Sequence, residues 1–193
     1  MKTNVNEVIC LRPMKTASTT IGRSILEHYG LVKFRPHHVL PNEIVEKVGK
    51  KRFMDAFRIL FVRNPYDRVV SGYEFSKSYK EWGKKRDISF DEFIENLHHP
   101  LTKFSFFPMY QYCFLEGRNI IEFMGYFEHL HRDINKMLDI VGIPKEGRLP
   151  IPHIRQTPHK PYQEYYTDGN AQERVYELYK EDFEIFGYNK EII

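Results

Sequence analysis

Cysteine is nearly absent from this chain, tryptophan occurs once, and long apolar runs are missing. Two cysteines in 193 residues, Cys10 and Cys113, cannot build a disulfide framework, and their wide separation is not a metal-ligand spacing. Cys10 falls within an apolar run, where a buried thiol behaves as a small hydrophobe. No stretch approaches the roughly 18 consecutive apolar residues of a membrane-crossing helix, and the N-terminus carries no secretory signal run. A cytoplasmic protein with no membrane segment is therefore expected. Neither sign of charge dominates: 29 Lys and Arg face 26 Asp and Glu, a net charge of +3. That balance allows a local basic pocket but does not suit a general nucleic-acid binder. Internal repeats and low-complexity linkers are missing too, so residues 1–193 are expected to form a single domain. The histidines His98, His99, His129 and His131 lack the i, i+4 spacing and acidic partner of a zinc helix, so no metal is expected.

Aromatic residues, by contrast, are plentiful: 13 Tyr and 15 Phe predict an aromatic core and aromatic cleft walls. Apolar runs at residues 8–11, 31–34, 58–62 and 120–126 read as strands. Helical periodicity follows each of them, with Ile21, Ile25 and Tyr29 on the first helical face. Pro41 and Asn42 open a helix, Asn64 and Pro65 are placed as N-cap and first turn of the next, and Ser89 with Glu92 forms a capping box. Residues 104–115 lean helical, 130–141 are periodic, 142–161 form a proline-rich basic loop, and a last helix spans 169–186. Strands alternating with helices predict an α/β protein with a mostly parallel sheet of four or five strands covered on both faces. Ligands of such sheets bind beyond the carboxyl ends of the strands.

The stretch from Val8 to Arg23 turns from a strand directly into a helix. Such a turn leaves backbone N–H groups without partners at the positive end of the helix dipole, a seat for an anion. Lys15 adds a full charge there, and Thr16, Ser18, Thr19 and Thr20 add hydroxyl donors. The nucleotide loop of NTPases needs glycines before its lysine, and here there are none. The plain alternative is a polar helix start with an incidental lysine.

A second stretch begins where the strand 58–62 ends. Arg63 stands at that strand end, and Ser71 lies about two helical turns further on. An arginine fork with a hydroxyl suits a second phosphate, held bidentately. Asp67 and Arg68 fit the alternative of an ordinary capped helix with a surface arginine.

The order Pro-x-Lys-Thr-Ala-Ser-Thr from Pro13 to Thr19 resembles the 5′-phosphosulfate loop of sulfotransferases, especially the carbohydrate type. Arg63-Asn64-Pro65-Tyr66-Asp67-Arg68 through Ser71 and Tyr73 resembles their 3′-phosphate motif. His38 with Glu43-Ile44 resembles the segment between these motifs in the carbohydrate sulfotransferase family 2, which includes heparan 2-O-sulfotransferases. His153 to Thr157, Tyr162, Tyr165-Tyr166 and Phe186-Gly187-Tyr188 resemble that family's closing segment. Only residues 77–118 match poorly. The resemblance implies a P-loop-like three-layer fold and a donor, 3′-phosphoadenosine 5′-phosphosulfate (PAPS), that leaves as 3′-phosphoadenosine 5′-phosphate (PAP). Lys15, Thr16, Ala17, Ser18 and Thr19 would hold the 5′-phosphosulfate, with Thr20 as a further hydroxyl. Arg63 and Ser71 would hold the 3′-phosphate, and the loop of Arg155, Thr157 and Lys160 would close over the nucleotide. Golgi members of the family carry a membrane anchor, so a chain without one is expected to be microbial or viral, or a trimmed catalytic domain.

Sulfuryl transfer implied in this way needs charge stabilisation at the leaving oxygen, the role of Lys15, and a proton acceptor for the incoming hydroxyl. His38 fits the family position of that base; His37, its neighbour, is the alternative, and Glu43 a third candidate whose other role is capping. His153 and His159 flank the basic loop and are open as nucleotide or substrate contacts. Lys84-Lys85-Arg86 could meet an acidic glycan and Tyr79 or Trp82 stack on a sugar, against solvated-loop and core-packing alternatives. A kinase-like phosphoryl transferase would need a magnesium-binding acid near the loop, but Arg63 stands at the strand end instead. A non-catalytic nucleotide- or glycan-binding module is the remaining alternative. The resemblance implies a hydroxyl acceptor on a carbohydrate; nothing else in the sequence sets the acceptor or the oligomeric state.

Overall fold

Val8–Leu11 forms β1, and all four of its residues are buried, as the unbroken apolar run requires of a parallel strand covered on both faces. The computed structural model describes all residues except 1–4, 35–37, 79–87, 98–105, 152–156, 168 and 193. After β1 come a π-helical segment Thr20–Leu26, α1 (Pro41–Val48), α2 (Lys50–Asp55), β2 (Phe57–Val62), α3 (Pro65–Ser78) and α4 (Phe90–Glu95). A 3₁₀ turn Met109–Cys113 leads to β3 (Phe114–Leu115), β4 (Arg118–Asn119), β5 (Phe123–Tyr126), α5 (Leu130–Ile140), α6 (Asn170–Leu178) and α7 (Lys180–Phe186). The strands order β1-β2-β5, both pairs parallel, with Leu11 opposite Leu60 and Val62 opposite Tyr126. The chain therefore leaves β1, β2 and β5 from the same edge of the sheet. The expected mixed α/β class with a parallel sheet is what forms.

Several expected elements differ. Among the described residues the parallel sheet has three strands rather than four or five. Residues 31–34 make no strand: Leu31 accepts one bond from Val8 N–H at 2.8 Å, and the pairing goes no further. The strand expected from residue 120 starts only at Phe123, because the Ile120 carbonyl is taken by the Arg58 side chain at 2.8 Å. The part of 104–115 that is described holds the 3₁₀ turn and β3, not an α-helix. The last helix is broken at Tyr179, whose φ of −126° leaves the helical region while its hydroxyl donates to Phe106 O at 3.0 Å.

Contacts group into two compact units, one of Met1–Val62 with Gln111–Arg155 and one of Arg63–Tyr110 with Gln156–Ile193. In the first unit the apolar faces of β1, β2, the π-helical segment and α5 share one core around Ile21, Ile25, Phe61, Ile134 and Met137. Gly125 is needed there, since a Cβ would come within 2.4 Å of the Phe61 ring. Arg58, read from sequence as a strand residue, is a buried brace. Its Nη1 donates to the carbonyls of Phe53, Met54 and Ala56 at 2.7–2.8 Å, closing the end of α2, while Nη2 lies 3.1 Å from Glu122.

The second unit is built on α3. Tyr66, Val69 and Val70 are fully buried, and rings of Tyr166 and Phe183 pack on Tyr66 at 5.0 and 4.8 Å between centroids. Arg68 overturns the expectation of a surface arginine: it has no exposed surface. Its guanidinium lies between Phe106 and Tyr179, donates to Phe107 O at 2.9 Å, and stands 3.9 Å from Asp182. Asp182 in turn accepts the backbone N–H groups of Met109 and Tyr110 at 2.8 and 2.7 Å. Periodicity could not tell a buried cation from a solvated one, because its partners lie far along the chain.

Burial pushes the Asp182 carboxyl from 3.8 to about 6, against the pull of Arg68 and the two N–H groups. Between pH 3.8 and about 6 the folded protein thus binds a proton that the unfolded chain has released. This site's contribution to stability is complete below that window and is lost as pH rises through it. Removing the cation leaves a buried carboxylate alone, so Arg68→Met is expected to cost about 3–5 kcal/mol at neutral pH. The cost should shrink as pH falls toward 4 and Asp182 protonates. Urea unfolding of both proteins across that range checks this; an equal cost at every pH refutes the pairing.

Candidate active site

The loop after β1 takes its shape from backbone that glycine usually supplies. Lys15 and Ala17 have φ of 63° and 59°, with Thr16 of ordinary sign between them. Such alternation turns successive N–H groups toward one concave side, an anion-binding geometry. Non-glycine residues held in this region are strained and mark sites that the surrounding structure over-determines. Part of that determination is visible: Thr16 is buried, its hydroxyl donates to Pro13 O at 2.9 Å, and Ile21 N–H donates to Ala17 O at 3.1 Å. The Thr16 proton is thus committed within the loop. Thr19, at the N-cap, makes no side-chain capping bond.

The helix after the loop is wound wide. Glu27 N–H reaches Gly22 O, five residues back, at 3.3 Å, a π-type bond of the kind that recurs at functional sites. Ile21 and Ile25 are buried as expected. Gly22 faces Arg12, whose Nε would stand 3.9 Å from an added Cβ. Arg12, buried at the end of β1, was not singled out from sequence, and it brings a second cation to the loop's base. Cys10, one turn of strand earlier, is no nucleophile: burial pushes its thiol up to about 12, although Arg12 pulls the other way.

His38 sits in the same unit. Its Nδ1 lies 2.6 Å from Arg12 O. A carbonyl only accepts, so Nδ1 carries the proton and a neutral ring has its lone pair on Nε2. The backbone at His38 has φ of 55°, and its carbonyl accepts the Tyr112 hydroxyl at 3.2 Å. Glu43 does capping: its Oε1 accepts Leu40 N–H at 3.1 Å at the start of α1. His37 lies outside the described residues.

In the second unit Arg63 follows β2 directly and is buried. Asn64 Oδ1 accepts Tyr66 N–H at 2.9 Å, the N-cap expected for α3. Asp67, one turn into that helix, accepts Arg63 Nε–H at 2.7 Å. His159 Nε2 stands 3.4 Å from Arg63 Nη2 and 3.7 Å from Asp67 Oδ1, while its Nδ1 donates to Lys160 O at 2.7 Å. Asp67 is thereby taken off the list of plain surface residues. The i, i+4 spacing of Arg63 and Asp67 was a signal for this pair; the approach of His159 had none. Ser71 is buried on the same helix. Thr157 is half-buried, and Lys160 is exposed and stands 3.6 Å from Glu164. Arg155, His153, Tyr79, Trp82, Lys84-Lys85-Arg86, His98 and His99 lie outside the described residues. Among the described residues no group of three His, Cys, Asp or Glu is placed to hold a metal ion. Among them, too, no helix is long and apolar enough to cross a membrane.

A model of the sulfotransferase family matches residues 3–189. An uncharacterized protein of Archaeoglobus fulgidus is 35% identical over 105 residues, 53% of this chain and 82% of that protein. Carbohydrate sulfotransferase 11 of Mus musculus is 27% identical over 172 residues, and carbohydrate sulfotransferase 14 of Danio rerio 28% over 174; each alignment covers 72% of this chain. The chain spans about half the length of these two enzymes, 48% and 46%. No solved structure matches. A match running almost from end to end means that the chain belongs to the sulfotransferase family whose model it fits.

Proposed function

We propose that this protein transfers a sulfuryl group from 3′-phosphoadenosine 5′-phosphosulfate to a hydroxyl of a carbohydrate. The observation that carries the reading is the pairing, within one unit, of the left-handed loop at Lys15 and Ala17 with a His38 ring whose proton is fixed on Nδ1. The loop suits a tetrahedral anion, and the ring offers a base. The names of the relatives favour a carbohydrate acceptor.

When bound, the donor supplies an activated SO₃ group on a phosphate leaving group. Lys15 and the N–H groups of residues 15–20 would hold that end and oppose the charge gathering on the leaving oxygen. His38 Nε2 would take the acceptor's proton while Nδ1–H stays on Arg12 O, so the positive ring that results keeps a carbonyl partner. Arg63 and Ser71 would hold the 3′-phosphate, with Thr157, Lys160 and Arg155 closing the nucleotide in. No residue in this scheme requires a metal. By analogy with phosphoryl transfer, catalysis is mainly positioning and electrostatics.

The test is incubation with donor carrying radioactive sulfate and a panel of polysaccharides, tyrosine peptides, phenols and lipids. Label on a polysaccharide is the expected outcome. Label on another class alone removes the carbohydrate assignment. No label, with the nucleotide bound, makes the chain a binding module.

A further inference from the structure

Arg63 is held by its own protein on the side where an arginine usually grips a phosphate. Asp67 accepts the Nε–H at 2.7 Å, and His159 Nε2 lies 3.4 Å from Nη2. The side chains of Arg63, Asp67 and His159 are only 7%, 18% and 14% exposed, so the cluster is shielded from competing water. A bidentate grip is expected from sequence; through the Nε–Nη2 edge such a grip would displace Asp67.

The geometry points to Asp67 as the positioning residue that sets selection for nucleotides bearing a second phosphate. This inference rests on the proposed role of Arg63. Asp67 fixes the guanidinium plane through Nε, so that a phosphate is met by the terminal Nη nitrogens. His159, anchored to Lys160 O, meets Nη2 beside Asp67 and ties residues 159–160 to the arginine. Asp67 touches no ligand; it acts by keeping the fork in one orientation before the ligand arrives, which lowers the ordering cost of binding. Its charge also opposes a phosphate dianion. The short, charge-assisted bond to Arg63 is the larger of the two effects, so losing Asp67 weakens the grip on the second phosphate.

The experiment is calorimetric titration of the full chain with 3′,5′-ADP and with 5′-AMP, which differ only in the second phosphate. Wild type is expected to prefer 3′,5′-ADP strongly; equal affinities, or no binding, refute the phosphate role of Arg63 itself before any variant is made. Asp67→Ala should weaken 3′,5′-ADP about tenfold or more and leave 5′-AMP within about twofold. Asp67→Asn, which keeps an acceptor for Nε–H, should lower the affinity ratio by about threefold only. A ratio unchanged in either folded variant, or tighter 3′,5′-ADP binding after removal of the charge, overturns the assignment. Circular dichroism establishes folding, and Asp67→Asn carries the test should Asp67→Ala not fold.

Discussion

Replacing His38 is expected to lower the rate of sulfuryl transfer by about 10²–10⁴-fold, the usual worth of a positioned general base. The cleaner variant is His38→Asn. The backbone at residue 38 has φ of 55°, which asparagine tolerates better than alanine, so the loop is kept while the base is lost. The effect should fall on kcat. Affinity for 3′,5′-ADP should hardly move, because the ring's proton is given to Arg12 O rather than to a ligand. The acid side of the pH–rate profile should also flatten. Full turnover in His38→Asn would remove the residue from the mechanism and turn attention to His37 and Glu43, though Glu43 already holds Leu40 N–H.

Loss of the Lys15 charge is expected to cost about 10²–10³-fold in kcat, as for other groups aimed at developing oxyanion charge. Lys15→Met is the informative change, since it retains the stem and removes only the cation. A uniform weakening of binding would raise KM and spare kcat; stabilisation confined to the transition state does the reverse. Steady-state rates on the labelled acceptor, set beside the 3′,5′-ADP dissociation constant, separate the two. If kcat is unaffected, the lysine is a ground-state contact, and Arg12, buried beneath the same loop, becomes the next cation to change.

The sequence spoke clearly wherever local chemistry was enough. The unbroken apolar runs gave β1 and β2, Asn64-Pro65 marked the start of α3, and Ser89 caps α4 by accepting Glu92 N–H at 3.1 Å. Both motif strands came through for the same reason. What stayed hidden depends on partners distant in the chain. The late start of β5 and the burial of Arg68 both follow from contacts that no window of a dozen residues contains. Arg58 is a further case: it reads as the first residue of a strand, and the bond of its Nε–H to Ile120 O, 62 residues on, and the approach of Nη2 to Glu122 are what make it a brace. At the candidate site, hydroxyls and lysine were legible, but the positive φ at Lys15, Ala17 and His38 was not, because no glycine announced it.

That last feature bears on heat. A loop rich in glycine would be floppy without its ligand, and much of the enthalpy of nucleotide capture would then be offset by freezing it. Here side chains with a Cβ already occupy the uncommon conformation, so the loss of chain freedom falls on folding rather than on capture. Ala17→Gly should therefore relieve strain in the empty protein, while making anion uptake entropically less favourable.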